Sequence, residues 1–377
     1  MRDYVFFAFL CMDTDFFLRI LNEDSTSGKE GCLADLMAAA LAAPGRDVRT
    51  YEVGDGTRNV MVSWGVPQVV FCTHLDTVPP YIPPVAEPVD EGTPSEDIVF
   101  RGRGTCDAKG QIFAMYEACR MLEAKGYDGF GLLLLAGEEI GSFGAKAFRE
   151  MHPGAEWLVV GEPTDNCMAS ASKGTKAFEV VFEGKAFHSG YPEYGVSAVN
   201  LFNDFMNVLR SIVFPEDEIL GKTTWNIGRL ESANPQNILS DRLTCRVYFR
   251  TTSASDGMVC NVMKNMAGPD ARLRFGRPRC QDGADLAAKE VAPWQKAMSV
   301  KPLGGDSPTV YDTLEGFPVK PVSFGSDAPQ LTNFRHRILC GPGSILVAHR
   351  PDEHILLSEL RRAADNYVKM FEKIRRL

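Results

Sequence analysis

One histidine and four carboxylates stand at the ends of three apolar runs in this sequence. His74 and Asp76 follow the first run, Glu138 and Glu139 the second, and Glu162 the third. Each run predicts a buried strand, and an α/β sheet carries its chemistry at the carboxyl ends of its strands. One such histidine alone would be read as a core or surface residue. Three strands that each deliver an acid or a histidine predict a shared site.

Histidine nitrogens and carboxylate oxygens without cysteine predict a catalytic pair of zinc ions. Each ion needs about three protein ligands, with one carboxylate bridging the two. The candidate ligands are His74, Asp107, Glu139, Glu162 and one late histidine. Asp107 lies in a glycine-rich turn before a predicted helix, where by itself it would be read as an ordinary helix cap. Such a pair binds water or hydroxide, lowers the pKa of the water towards about 7 and polarises a carbonyl group.

Two further acids are expected to support this chemistry. Residues two apart lie on the same side of an extended chain, so Asp76 is expected to accept a hydrogen bond from His74 and orient it. Alternation sends the adjacent Glu138 and Glu139 to opposite sides, which predicts different roles for them. Glu138 is placed to take the proton of the water and pass it to a leaving nitrogen. These residues together predict a hydrolase of amide bonds.

The elements that position these residues follow an α/β order up to about residue 170. Helices are predicted at 13–21, 30–43 and 111–124, and strands at 48–53, 59–64, 69–74, 129–136 and 157–160. The passage 79–97 contains six prolines and predicts a surface loop without regular structure.

The order of predicted elements changes in the middle of the chain. Strands are predicted at 177–182, 223–230, 242–250 and 271–275, and helices at 196–213 and 255–266. This β-α-β-β-α-β order is typical of a ferredoxin-like insert, which we place at about 171–280. The remainder returns to α/β, with helices predicted at 284–297, 307–314 and 356–374 and strands at 319–324 and 337–340.

Length and composition set outer bounds on function. A chain of 377 residues predicts two domains, and the net charge of -9 argues against a nucleic-acid or anionic-membrane partner. Ten cysteines without a CxxC pair read as reduced residues of a cytoplasmic protein. No apolar run reaches the length of a membrane span. The apolar run 5–12 is short for a signal peptide, and we favour a first helix or extra residues upstream of a start at Met12.

Five motifs in order resemble the dinuclear-zinc aminoacylase and carboxypeptidase family. They are HLD at 74–76, GRGTCDAKG at 102–110, GEEIGSFGA at 137–145, GEPT at 161–164 and GPGSILVAHRPDEH at 341–354. The family includes acetylornithine deacetylase, succinyl-diaminopimelate desuccinylase and glutamate carboxypeptidase. The resemblance covers nearly the whole chain after residue 13. It implies a zinc-peptidase-like α/β/α catalytic domain formed by 1–170 and 281–377, with an inserted ferredoxin-like α+β lid and dimerisation domain at 171–280.

The resemblance also implies roles for individual residues. The metal ligands would be His74, Asp107, Glu139, Glu162 and His349. Asp107 would bridge the two ions, Glu138 would be the general base, and Asp76 would support His74. Which other ligand holds which ion stays open. His354 competes with His349, and the position directly after Ala348 favours His349.

The insert resembles the family's lid, which implies three more site residues. His188 would reach into the partner subunit's site and help to hold the oxyanion, and this implies a homodimer formed through the lid. Asn237 and Arg250 would hold the carboxylate of the substrate, for which the forked arginine side chain is suited. From the residues alone, the less favoured alternatives are a turn residue for Asn237 and a solvated strand end for Arg250.

The expected function is a cytoplasmic hydrolase of N-acyl amino acids that uses two divalent ions, with zinc favoured and cobalt or manganese open. An acetylornithine deacetylase or succinyl-diaminopimelate desuccinylase type in amino-acid biosynthesis is the first expectation. A dipeptidase or carboxypeptidase with the same machinery is the alternative among enzymes. The alternative of another class is an inactive, metal-holding dimeric binding module.

Overall fold

A computed structural model describes residues 12–54, 56–89, 97–273 and 290–377, which form two compact units. The first unit runs to Ser170 and also contains Val310–Lys320 and Ser326–Leu377. The second unit contains Ala171–Thr309 and Pro321–Gly325, so it extends beyond residue 280, where the sequence analysis ended the insert. The apolar run 5–11 lies outside the described residues.

The first unit is built on a six-stranded sheet in the order β1-β2-β6-β3-β7-β15. Its strands are β1 Asp47–Gly54, β2 Thr57–Trp64, β3 Val69–His74, β6 Phe130–Leu135, β7 Trp157–Val160 and β15 His336–Leu339. Strand β3 runs parallel to β6 and β7, and β15 runs parallel to β7. All residues of β3 and β6 are buried, which explains their unbroken apolar runs.

Five helices belong to the first unit, within the described ranges. They are α1 Thr14–Asn22, α2 Gly31–Leu41, α3 Lys109–Ala124, α4 Phe143–Met151 and α8 Leu357–Ile374. Helix α3 packs against α8, and the rings of Phe17 and Phe113 stack at 4.7 Å in the core that these helices share with the sheet. Nowhere in the described ranges is there a helix with the length and apolar character that a membrane crossing requires.

Two small sheets include segments for which the sequence predicts no strand. One has the order β16-β5-β4, from β4 Val85–Pro88, β5 Ile98–Arg101 and β16 His354–Leu356. Strand β4 lies inside the passage predicted to be irregular, and Pro88 is tolerated because β4 is an exposed edge strand. The other has the order β13-β8-β14, from β8 Met168–Ser172, β13 Thr309–Val310 and β14 Val319–Val322. The helix predicted at 307–314 is therefore wrong.

The second unit has a four-stranded antiparallel sheet in the order β10-β11-β9-β12. Its strands are β9 Gly174–Glu183, β10 Thr224–Glu231, β11 Arg242–Thr251 and β12 Met298–Gly304. Helices α5 Ala198–Ser211 and α6 Asp256–Asn265 connect them in the β-α-β-β-α-β order of a ferredoxin-like fold.

The fourth strand of this sheet is not the segment 271–275 that the sequence predicts. Residues 271–273 are not extended in a ladder, and 274–289 lie outside the described residues. Strand β12 takes the place instead, because Met298 and Val300 alternate inward opposite Phe182 and Val180 of β9. Of the helix predicted at 284–297, the described part contains the four-residue helix α7 Pro293–Lys296.

Candidate metal centre

Three neighbouring strands of the first unit bring the predicted residues to one edge of the sheet. In the parallel order β6-β3-β7, His74 ends β3 and lies opposite Leu135, the last residue of β6. Glu138 and Glu139 occupy the turn after β6, and Glu162 follows β7 by two positions. A Gly or Pro residue follows each of the three strands within five positions.

The carboxylate of Asp107 stands between two histidines. Its Oδ1 lies 3.1 Å from Nε2 of His74, and its Oδ2 lies 3.3 Å from Nε2 of His349. Nε2 of His349 also lies 2.8 Å from Oε1 of Glu139. Two oxygens of one carboxylate that face two separate histidines form the arrangement that a bridging ligand needs.

Two groups of potential ligands share Asp107. The first contains His74, Asp107 and Glu162, the second contains Asp107, Glu139 and His349, and the ligand atoms within each group lie within 4.8 Å of one another. Among the described residues, Oε1 of Glu162 is a buried oxygen without a hydrogen-bonding partner. An oxygen and nitrogen donor set with a shared carboxylate and an unsatisfied buried oxygen fits a pair of divalent ions such as zinc.

The two histidines carry raised pKa values because carboxylates surround them. Burial lowers the pKa of His74, but hydrogen bonds with Asp107 and Asp76 outweigh it and raise the pKa well above its usual value. Hydrogen bonds with Asp107 and Glu139 raise the pKa of His349 to about 10. Burial acts to raise the pKa of Asp107, yet its bonds with His349 and His74 hold that pKa below the usual value.

Three other carboxyl groups at the site have raised pKa values, chiefly because burial disfavours their charged form. The pKa values of Glu138 and Glu162 lie well above the ordinary value for a glutamate. Burial also raises the pKa of Asp327, a residue that the sequence analysis did not single out, to about 7. So many carboxyl groups repel one another, and nearby cations are what would hold them ionised.

Asp76 contacts His74 as predicted, and it also holds a neighbouring turn. Nδ1 of His74 lies 2.9 Å from the main-chain oxygen of Asp76, and the carboxylate is farther away at 3.4 Å. The fully buried carboxylate also accepts hydrogen bonds from the backbone N–H groups of Glu138 (2.9 Å) and Glu139 (3.2 Å) and from the hydroxyl of Ser27 (2.8 Å). Asp76 therefore holds the turn that carries both glutamates.

Glu138 and Glu139 do not point to opposite sides as extended-chain alternation predicted. Strand β6 ends at Leu135, so both residues belong to the turn, where alternation no longer applies. One carboxylate oxygen of each lies within 4.8 Å of a ring nitrogen of His74. The two glutamates still differ in one contact, because Glu139 alone is hydrogen-bonded to His349.

The two late histidines have different surroundings. His349, with a left-handed φ of 63°, contacts Glu139 and Asp107. His354 begins β16, and its Nδ1 lies 2.8 Å from the main-chain oxygen of Asp352. Only His349 of this pair belongs to a potential ligand group among the described residues.

The three remaining predicted residues lie in the second unit. His188 and Asn237 belong to adjacent loops, since the backbone N–H of Ser189 donates to the main-chain oxygen of Asn237 at 2.9 Å. Both side chains are exposed. Arg250 lies near the end of β11, and its guanidinium group stands 5.2 Å from the centre of the Tyr248 ring. Their roles in binding substrate stay predictions.

Sequence reasoning missed three residues that the structure places at or beside the cluster. Asp327 follows strand β14 by five positions, so the signal that identified the other acids was present but weaker. Ser27 carries no recognisable pattern, because its partner Asp76 is 49 residues away. Glu353 belongs to the PDEH motif, in which the sequence pattern indicates no role for this acid.

Sequence comparisons agree with the motifs. The profile of peptidase family M20/M25/M40 matches residues 70–373. A probable carboxypeptidase of Aspergillus oryzae is 33% identical in an alignment of 333 residues that covers 81% of this chain and 74% of that protein. A probable carboxypeptidase of Aspergillus terreus is 32% identical in an alignment of 330 residues that covers 81% of this chain and 70% of that protein.

Structural comparisons agree with the fold. A tripeptidase from Staphylococcus aureus superposes with a TM-score of 0.74 at 19% identity and covers 97% of this chain and 98% of its own. An M20 family metallo-carboxypeptidase from Sulfolobus solfataricus superposes with a TM-score of 0.69 at 15% identity. The match covers 97% of this chain and 99% of that protein. The expected α/β fold is thereby confirmed.

Proposed function

Because the chain belongs to peptidase family M20/M25/M40, and is thus a metallopeptidase that hydrolyses amide bonds, we propose that it is a carboxypeptidase or dipeptidase with two zinc ions. The observation that carries the proposal is the shared Asp107, whose two carboxylate oxygens face His74 and His349. The names of the relatives support a peptidase, since those from both Aspergillus species are probable carboxypeptidases. We therefore prefer a peptidase to the N-acyl amino acid hydrolase that was the first expectation from the sequence.

In this proposal the side chains at the site serve either as metal ligands or, in one case, as the general base. His74 and Glu162 would hold one ion, Glu139 and His349 would hold the other, and Asp107 would be shared by both. When bound, the ions supply an activated water and polarise the carbonyl of the scissile bond. Glu138 would take the proton of the water and deliver it to the leaving nitrogen. It must be ionised to accept that proton, and the positive charge of the bound ions would oppose the burial that raises its pKa in their absence.

The second unit supplies the groups that recognise substrate. Arg250 and Asn237 hold the free carboxylate of the peptide, and His188 of a partner subunit helps to hold the oxyanion in a homodimer. The half-buried Arg250 supports this, because a guanidinium group with a planar fork pairs well with a carboxylate. We place the enzyme in the cytoplasm, because the eight cysteines among the described residues have free thiols.

Amine release by the zinc-loaded protein tests the substrate class. The panel contains dipeptides, the same dipeptides with an amidated carboxyl end, and N-acetyl and N-succinyl amino acids. We expect turnover of the free dipeptides and a large loss on amidation, because the amide cannot pair with Arg250. Faster turnover of N-succinyl or N-acetyl amino acids would replace the peptidase with an acylase. Two bound ions without turnover of any substrate would favour the binding module.

The variant Glu138→Ala tests the assignment of the general base. We expect it to keep two ions per chain and to lose turnover by about 10²–10⁴-fold, the usual contribution of a positioned base. Glu150→Ala is the matched control, because Glu150 is an exposed glutamate of helix α4 that faces no site residue in the described contacts. Unchanged turnover in Glu138→Ala would reject Glu138 as the base.

A further inference from the structure

Glu353 is a fully buried glutamate that holds the backbone around Asp107. Its Oε1 accepts hydrogen bonds from the backbone N–H groups of Gly104, Cys106 and Asp107, each at 3.0 Å. Its Oε2 pairs with Nη1 of Arg103 at 2.5 Å. One carboxylate thus binds four donors of the segment 102–108, which we call the Asp107 loop.

The Asp107 loop has no ladder of its own to satisfy these N–H groups. It follows strand β5 and precedes helix α3, and it turns at Gly104, whose φ is +86°. From the opposite side, Nε2 of Gln111 donates to the main-chain oxygen of Cys106 at 3.0 Å. Glu353 and Gln111 therefore fix the peptide groups on both sides of Cys106, and the position of the Asp107 carboxylate follows from them.

The ion pair with Arg103 keeps Glu353 itself in place. Both side chains are almost completely buried, and a buried charge needs its partner because water cannot replace it. Arg103 also donates to the main-chain oxygens of Pro80 (3.3 Å) and Arg350 (3.4 Å). The short segment from His349 to Glu353 therefore contains both a potential metal ligand, His349, and the residue that holds the Asp107 loop, Glu353.

We propose that Glu353 is a positioning residue that fixes the Asp107 loop so that both oxygens of Asp107 stand ready to bridge two ions. The inference rests on the proposed metal centre, although its evidence is the set of contacts made by Glu353. Partners of metal ligands typically change metal affinity by about 10–100-fold when they are removed. We expect a loss in that range for Glu353, because it anchors the backbone of the shared ligand.

The variant Glu353→Gln tests the inference with little change in shape. Its amide oxygen can accept the backbone N–H groups, but its NH₂ group then faces Arg103 donor to donor. Asp352→Asn is the matched control, since the neighbouring Asp352 forms an exposed ion pair with Arg350. Zinc affinity is measured by competition with a chelating dye, and amide hydrogen exchange is measured at residues 104, 106 and 107 of the metal-free proteins.

We expect Glu353→Gln to bind zinc about 10–100-fold more weakly and to exchange these amides at least about tenfold faster, with Asp352→Asn unchanged. Zinc affinity within about twofold of the wild type would overturn the inference. If Glu353→Gln does not fold, the variant Arg103→Lys tests the inference in its place. It keeps a buried positive charge beside Glu353 but lacks the forked guanidinium group. Unchanged exchange and affinity in that variant would equally overturn it. A wild-type protein that binds no pair of zinc ions would instead refute the metal centre itself.

Discussion

Replacing Asp76 by asparagine should loosen the turn that carries Glu138 and Glu139 without changing the size of the side chain. The carboxylate is fully buried, and it accepts three hydrogen bonds on its two oxygens. An asparagine keeps one oxygen, so in either orientation its NH₂ group faces at least one of the two backbone N–H groups. A buried donor left without a partner costs about 1–3 kcal/mol.

The total expected effect is larger than this single loss. The remaining hydrogen bonds change from charge-assisted to neutral, which removes roughly another 1 kcal/mol. We therefore expect Asp76→Asn to lower the free energy of unfolding by about 2–4 kcal/mol. At about 2–4 °C per kcal/mol for a unit of this size, Tm falls by about 5–15 °C. Zinc affinity should fall by about 10–100-fold, because Glu139 and His74 lose their orientation.

Thermal melts of the metal-free and zinc-loaded proteins measure both effects. Ser27→Ala is the graded variant, because it removes one donor and leaves both backbone hydrogen bonds to Asp76. Asp47→Asn is the control, because Asp47 forms an exposed ion pair with Arg49 and should change stability by less than about 0.5 kcal/mol. A Tm for Asp76→Asn within about 2 °C of the wild type, with zinc affinity unchanged, would refute the reasoning.

Two further predictions concern the late histidines and pH. His349→Ala should reduce bound zinc from two ions to one per chain, measured by atomic absorption, whereas His354→Ala should keep two; the reverse result would exchange their roles. In the metal-free protein, the neighbouring carboxylates raise the pKa of His349 to about 10, against about 6.5 in an unfolded chain. The stabilisation that protonated His349 provides is therefore complete below about pH 6.5 and is lost as pH rises towards 10. The urea midpoints of the wild type and of His349→Ala should therefore converge as pH rises from about 6 to about 9. Zinc must displace this proton, so proton release on loading, followed with a pH indicator, should be smaller in His349→Ala; equal release would contradict the assignment.

The strands that carry the site were predictable because they are buried on both faces. Strands β3, β6 and β7 leave unbroken apolar runs, and the residues that end them stand out against these runs. Asp107 needed more than a pattern, because a lone acid before a helix is usually a cap, and the family motif supplied its role. The choice of His349 over His354 depended on the motif in the same way.

The features that sequence reasoning missed depend on pairing between distant residues. Strand β12 and the segment 271–275 both alternate in polarity, and only the partner strand β9 selects between them. The segment 307–314 has apolar spacing that suits a helix, but Thr309–Val310 pairs with β8. Glu353 could not be given a role from the sequence, because the backbone N–H groups that it binds lie about 250 residues before it.

The spread of the ligands along the chain has a consequence for synthesis on the ribosome. About 190 residues separate Glu162 from His349, and the whole of the segment Ala171–Thr309 is made between them. At about 5–20 residues per second, the nascent chain carries His74, Asp107 and Glu162 for about 10–40 s before His349 emerges. During that interval strand β7 also lacks its neighbour β15 and presents an open edge. If translation stopped in this interval, the chain would carry an incomplete metal centre beside an unpaired strand edge that can pair with other chains. This interval is therefore the stage at which the protein is most exposed to aggregation.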